Sequence, residues 1–430
     1  MQKSIKLRIY PNSHQREIID RTLRGCSFVW NKYIEANDKK YLESGEFITW
    51  QKFSNELTKL KMSDERYMWL NGISTKALQH ALQDCYKAYV KFFKGNGSVG
   101  KPKFKSKKLK NQYRSFFIIK DGINLYDTDP TKPNTISLPI LHNIRCPRKY
   151  LIPDKSFITS GRIMHSITDK YYLYITYEYY PERDNRRPTE GCGISLGIDT
   201  FATVYYEDFR KPTKYANFIH DDRYKDYDRR INKLQSVIRK KAEINYERLI
   251  REYQYTHSNQ YPDTDTLDEI RDKAMSSNNI KKVVRKLRKL YEKRTNYGLN
   301  KLNHIINDLT ITKPSYIIIE DIPVKELTCR NISTLSYDIN TLHDNISKST
   351  WYRFKMKLQI KCKTMNIPLY LAPNRYASYK TCSNCGSMRK LIDPINDTFE
   401  CEVCGMKIHM GVNAAKVLCF YPKKYCKLMR

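Results

Sequence analysis

No run of this chain stays apolar for the roughly 18 residues that a membrane span requires, so no membrane-embedded segment is expected. The opening stretch MQKSIKLRIYPNSHQ lacks the apolar core of a secretory leader, which makes a soluble, intracellular protein the expectation. Cytoplasm, nucleoid or nucleus would then depend on the host. Internal repeats and low-complexity tracts are missing. Acids are scarce: 45 Asp and Glu stand against 78 Lys and Arg, a net charge of +33. Beyond Glu402 there is neither Asp nor Glu. Such an excess favours a polyanionic partner, because each neutralised phosphate releases its condensed counterions. Nucleic acid is the first expectation, an acidic membrane surface the second, and a merely soluble basic protein the third.

What is present begins with cysteine. Of the 12 cysteines, four form Cys382-x2-Cys385 and Cys401-x2-Cys404, and the other eight are scattered. Each pair is followed by a glycine (Gly386, Gly405), so each can fold into a tight knuckle that aims two thiolates at one point. Two knuckles give tetrahedral sulfur ligation, which suits zinc in a structural rather than catalytic role. Scattered thiols in a reducing compartment are ordinary buried residues rather than a disulfide framework. The 34 tyrosines accompany abundant Lys, Asn and Ile, the bias of AT-rich coding, and carry little functional meaning as a group.

A length of 430 residues implies about two to four domains. Residues 4–10 alternate and stop at Pro11, as a strand does. Helical periodicity follows over about 13–44 and again over 73–93, ending at Gly95 and Gly97. Residues 101–110, KPKFKSKKLK, are dominated by lysine. Lys101, Lys103, Lys105, Lys107, Lys108 and Lys110 suit phosphate contact without base reading, or simply a solvated loop. Residues 113–180 alternate like strands, and 171–179 is the clearest of them. The Pro- and charge-rich stretch 181–191 reads as a boundary. Residues 192–206 read as one strand, 221–310 as polar helices with a loop at 257–266, 315–320 as a strand, 350–366 as a helix, 367–371 as a strand and 412–420 as a last helix. Over 281–294, Val283, Val284, Leu287, Leu290 and Tyr291 share one helical face and the other face is basic. Core packing with a solvated back explains that stripe as well as nucleic-acid contact does. Strands alternating with helices after residue 190 argue for an α/β domain. Glu320 ends an apolar strand, where site groups of α/β folds sit; a surface charge in a turn is the plain alternative.

These pieces, in this order, resemble the TnpB family of transposon-encoded RNA-guided DNA nucleases and its Fanzor relatives. The resemblance covers nearly the whole chain. It rests on KLRIYP with Gln15 at the start, on GISTKALQHALQDCYKAYVKFFKGNGSVGKPKFKSKK (72–108), on IIIEDIPVKEL (317–327), on WYRFKMKLQIKCKTMNIPLYLAP (351–373), on ASYKTCSNCG (377–386) and on VNAAKVL (412–418). It implies a multidomain α/β protein: a wedge β-barrel (1–12 and 111–185), a helical recognition lobe inserted in it (13–110), an RNase-H-like RuvC domain (191–375 and 408–425) and a zinc ribbon (376–407). It also implies a guide RNA and a double-stranded DNA target as partners. In such systems base pairing reads sequence while the protein reads duplex shape and a short adjacent motif.

The family's nuclease uses three acids to hold two magnesium ions about 3.5–4 Å apart. The first acid lies in a pattern like Gly-Ile-Asp-Leu-Gly; here Gly193-Ile194-Ser195-Leu196-Gly197 puts Ser195 there. The second matches Glu320. The third should precede Val-Asn-Ala-Ala, and that residue is Gly411. Asp199 lies four residues past Ser195, roughly 13 Å away along an extended strand. Serine and glycine supply no anionic oxygen for a hard ion. The resemblance therefore implies a structural zinc, no working pair of magnesium ions, and an RNA-guided DNA-binding protein deficient in cleavage. Two alternatives stand beside it: a magnesium-dependent endonuclease using Glu320 and Asp199, and a guide-free zinc-ribbon DNA-binding protein. On the first reading, Ser195→Asp with Gly411→Asp would restore cleavage.

Overall fold

A computed structural model describes residues 1–95, 99–105, 114–125, 134–146, 152–153, 155–180, 188–322, 350–373, 378–389 and 398–429. The chain divides into two compact units, Met1–Glu182 and Arg183–Arg430.

In the first unit, β1 (Gln2–Ile9) leads into α1 (Ser13–Ser44), a single helix of 32 residues. Asn12 sets its start. Its side chain accepts from the Gln15 N–H at 2.8 Å, and the Gln15 side chain accepts in return from the Asn12 N–H at 3.0 Å, so two otherwise orphan donors are satisfied. Gly45, at φ +68°, ends the helix in the left-handed conformation that glycine adopts without strain. Helices α2 (Trp50–Ser63), α3 (Glu65–Met68) and α4 (Thr75–Lys94) follow. Ile19, Leu23, Cys26, Trp30 and Tyr33 of α1 are buried in one core with Leu78, Leu82 and Cys85 of α4. Strands β2 (Ser115–Ile118), β3 (Thr135–Leu138), β4 (His142–Arg145), β5 (Phe157–His165) and β6 (Tyr171–Glu178) complete the unit. β1 pairs with β6 along its whole length, so the sheet runs β1-β6-β5-β2, while β3 and β4 pair separately. The expected barrel does not close among the described residues. Four strands are too few to curl edge to edge, and β1 and β2 remain as open edges.

The second unit is built on β7 (Cys192–Leu196), β8 (Thr200–Tyr206), β9 (Thr213–Ala216), β10 (Ile317–Glu320), β11 (Leu369–Ala372) and β14 (Lys427–Leu428). The order across the sheet is β14-β11-β10-β7-β8-β9. β7, β8 and β9 are antiparallel neighbours, whereas β10 and β11 run parallel to β7. Helices α5 (Asp222–Thr256), α6 (Thr264–Met275) and α7 (Asn278–Ile311) lie between β9 and β10; α8 (Trp351–Thr364) precedes β11 and α9 (Met410–Cys419) precedes β14. β12 (Thr398–Glu400) and β13 (Lys407–His409) form a small hairpin.

One expectation changes here, and one of two open alternatives is met. Residues 192–206 are a hairpin, not one strand. The chain turns at Gly197, whose N–H bonds the Phe201 carbonyl at 3.2 Å. A Cβ at Gly197 would lie 2.8 Å from the Thr200 carbonyl oxygen, so the close approach needs glycine. The apolar stripe of 281–294 serves packing: Leu287, Leu290 and Tyr291 of α7 meet Tyr227, Ile231 and Leu234 of α5.

Successive strand residues face opposite sides, and both sides of the second sheet are covered. Cys192, Ile194, Leu196, Ala202, Val204, Ile317 and Ile319 face a core with Leu302, Phe354 and Leu358. Gly193, Ser195, Thr203, Tyr205, Ile318 and Glu320 fall on the opposite side, where α9 packs. A Cβ at Gly193 would stand 2.3 Å from both the Ala415 carbonyl oxygen and the Cys419 nitrogen, so only glycine lets α9 lie against β7 this closely.

Candidate metal centre and acid site

The four cysteines of the double knuckle converge. Their sulfurs all lie within 4.8 Å of one another. Cys382 and Cys404 are 3.7 Å apart, Cys385 and Cys401 3.6 Å. A tetrahedron with zinc–sulfur arms of about 2.3 Å has edges of about 3.8 Å, so the spacing fits one tetrahedral ion. The knuckles are built alike. Gly386 and Gly405 take φ of +76° and +67°, and their N–H groups bond the carbonyls of Cys382 and Cys401 at 3.0 and 2.9 Å. The N–H groups of Asn384 and Cys404 donate to the sulfurs of Cys382 and Cys401 at 3.4 and 3.5 Å. Asn413 of α9 secures the cluster, accepting from the Ser383 N–H at 2.9 Å and donating to the Thr381 carbonyl at 2.7 Å.

Next to this cluster, three positions far apart in sequence come together. Ile194 and Ile319 are partners in the parallel pairing, so Ser195 and Glu320 follow side by side on adjacent strands, which lie about 4.8 Å apart. Ser195 is itself paired with Thr203 across the hairpin. Gly411, in the first turn of α9, sits against Thr203: a Cβ there would lie 2.9 Å from Thr203 Oγ1. Glu320, Ser195 and Thr203 therefore form a row across three strands, with Gly411 over one end.

Glu320 is the sole carboxylate among these positions. Burial pushes its pKa from the ordinary 4.5 to about 7, against the opposing pull of a hydrogen bond from Ser378, 3.0 Å away. Its neighbour Asp321 is engaged with Lys355 instead. Ser195 is 3% exposed, and its hydroxyl lies 2.8 Å from that of Tyr379. The Tyr379 hydroxyl donates to the Leu196 carbonyl, which can only accept. Tyrosine has one such proton, so it is Ser195 that donates to Tyr379. Hard divalent ions seek several anionic or free oxygens. Here one carboxylate, one committed hydroxyl and one glycine do not fit a pair of magnesium ions.

Asp199 lies elsewhere. Because the chain turns at Gly197, Asp199 occupies the hairpin tip rather than a point further along β7. Its side chain is 84% exposed and stands 3.8 Å from His220 Nε2. Of the six lysines, Lys101 pairs with Asp38 at 2.8 Å. Lys105 lies over the Trp30 ring, 4.4 Å from its centre, and burial lowers its pKa. Lys103 is exposed. Lys107, Lys108 and Lys110 lie outside the described residues. Sequence reasoning missed Ser378, Tyr379 and Thr203. The first two stand in the quoted ASYKTCSNCG motif, but nothing in that motif says that it folds back onto the ends of β7 and β10.

Two family models match the chain. One, described as a Cas12f1-like TNB domain, covers residues 351–418 and so includes all four cysteines and Gly411. The other, described as a helix-turn-helix domain, covers residues 1–46, which here form a strand and one unbroken helix. A TnpB-like protein of Acanthamoeba polyphaga mimivirus is 23% identical over 434 residues, covering 96% of this chain and 72% of its own length. A proposed RNA-guided DNA endonuclease of Streptomyces pristinaespiralis is 23% identical over 426 residues, covering 97% of this chain and 88% of its own. The solved structure of the mini-RNA-guided endonuclease CRISPR-Cas_phi3 aligns over 98% of this chain and 93% of its own, at 12% identity and a TM-score of 0.43, too loose a likeness to build on. Over nearly its whole length the chain is thus similar to TnpB-like proteins, and its C-terminal part matches a Cas12f1-like TNB domain.

Proposed function

We propose that this chain is an RNA-guided DNA-binding protein of the TnpB type that holds a target without cutting it effectively. One observation carries the reading: Ser195, Glu320 and Gly411, which align with the three family acids, converge on one patch, and of the three only Glu320 carries a carboxylate. The sheet of the second unit supports an RNase-H-like nuclease scaffold, since three antiparallel strands are followed by two that run parallel to the first. The four sulfurs are the seat of a structural zinc that the reading requires to keep the ribbon folded. Exposed Lys103, together with Lys281, Lys282, Arg285, Lys286 and Lys289 on the outer face of α7, supplies cations for the phosphates of guide and double-stranded target. None of these six pairs with a carboxylate among the described residues. Binding without cleavage suits a repressor that occupies a promoter. Asp199 does not rescue cleavage on this reading, because it is solvated at a hairpin tip.

The test is to express the unaltered chain with its native flanking DNA, sequence the RNA that copurifies, and incubate the complex with matching duplex and magnesium. The expected result is one defined RNA ending in a guide-like segment, guide-dependent duplex binding, and no cleavage above background. Cleavage by the unaltered complex overturns the cleavage-deficient reading. Heterogeneous RNA with guide-independent binding favours the zinc-ribbon DNA-binding alternative.

A further inference from the structure

Losing a carboxylate from a metal site leaves an opening that water or a neighbouring side chain can fill. In this molecule side chains stand there. Tyr379 lies three residues before Cys382, and its hydroxyl bridges the Ser195 hydroxyl and the Leu196 carbonyl. Magnesium binds oxygen at about 2.0–2.1 Å. A hydroxyl oxygen 2.8 Å from the tip of residue 195 therefore stands in the space that an ion bound to that residue would need. At the other end of the row, Thr203 Oγ1 lies 2.9 Å from where any Cβ on Gly411 must go. Both Ser195 and Thr203 are buried, at 3% and 2% exposure, so neither contact is a passing surface encounter.

We propose that Tyr379 and Thr203 close the vacated acid site to divalent ions, so that restoring the two acids alone does not restore metal binding. This inference rests on the reading of Ser195 and Gly411 as former acid positions. A carboxylate at 195 would compete with the Leu196 carbonyl for the single Tyr379 proton, and the bond so formed would occupy an oxygen that an ion needs. A carboxylate at 411 would need Thr203 to shift before its Cβ could be placed. Tyr379 and Thr203 are positioning residues here, acting on the ion through the residues they touch. The same contacts tie the start of the ribbon to the sheet: Tyr379 bonds to β7, Ser378 to β10, and Cys382 begins the cluster three residues later.

The test compares two variants of the full chain, Ser195→Asp/Gly411→Asp and the same pair carrying Tyr379→Phe and Thr203→Ala. Binding of manganese(II) is read from the loss of the free-ion paramagnetic resonance signal, and magnesium by calorimetry. Tyr379→Phe keeps the ring and removes only the oxygen. The cobalt(II)-loaded ribbon spectrum and the melting temperature verify that each variant is folded. The fourfold variant should bind manganese at least about ten-fold tighter than the double variant, the order expected when a competing hydrogen bond to a charged group is removed. Equal affinities, or no binding by either, overturn the closure. Tight binding by the double variant overturns it as well. Cleavage by the unaltered chain would instead strike the cleavage-deficient reading, so the two failures are distinguishable.

Discussion

The four-sulfur cluster and the Ser195–Glu320–Gly411 patch are neighbours in one unit, joined by the short segment that carries Ser378 and Tyr379 to Cys382. They differ in how their donors are assembled. Two local knuckles supply every sulfur, each held by its own glycine turn, and all four donors are present. The patch draws one residue each from β7, β10 and α9, and two of the three bring no carboxylate. A donor set built from short-range turns stays complete through local geometry. One gathered from distant strands depends on each separate position, and here hydroxyls of Ser195, Thr203 and Tyr379 stand beside its single carboxylate-bearing position.

The largest effect that sharpens this contrast should come from the cluster. Cys382→Ser removes one of four thiolates at a buried corner. Structural zinc sites are worth on the order of 10 kcal/mol of apparent binding, so the variant should lose bound zinc and melt the ribbon, at a cost of several kcal/mol. Metal stoichiometry and thermal melting check this; a full zinc complement with unchanged melting would break the contrast.

A smaller effect is expected at Glu320. Its pKa is raised from 4.5 to about 7 in the folded protein, so folding favours the protonated form. That stabilisation is fully present below about pH 4.5 and is lost as pH rises through 7. Glu320→Gln should thus match the unaltered chain near pH 4 and exceed it by up to about 3 kcal/mol at pH 8. Urea midpoints across pH measure it. A difference that does not vary with pH would mean that the carboxyl is not held in this way.

The smallest effect is expected at Asp199. Its side chain is 84% exposed and near only His220 in the ion pairs described. Asp199→Asn should change stability by less than about 0.5 kcal/mol and leave manganese binding unaltered. A measurable loss of ion binding would place Asp199 in the site after all.

Much of the local architecture was legible in the residues. Helical periodicity over 13–44 and 73–93 located α1 and α4. The double CxxC motif with its two glycines specified a four-sulfur cluster, because a knuckle is a local object. The hairpin at 197–199 was misread. Its strands are buried on both sides, so periodicity shows no break, and the turn depends on one close backbone approach at Gly197. The six lysines of 101–110 looked equivalent, yet Asp38 and Trp30 of α1 distinguish Lys101 and Lys105 from Lys103.

The sequence alone determined which chemical groups are available: four thiolates in two knuckles, the Glu320 carboxylate at the end of β10, a serine at 195 and a glycine at 411. Those are matters of residue identity and short-range spacing, which local bonding preserves in any fold. Only the tertiary structure decided that Ser195, Glu320 and Gly411 meet, since that depends on strand pairing between β7 and β10 and on α9 packing against glycine. It alone also brought Tyr379 to Ser195 and Thr203 to Gly411. Contacts between residues 184 apart in sequence leave no periodic mark, because they arise from the packing of whole elements rather than from the chain's own repeat.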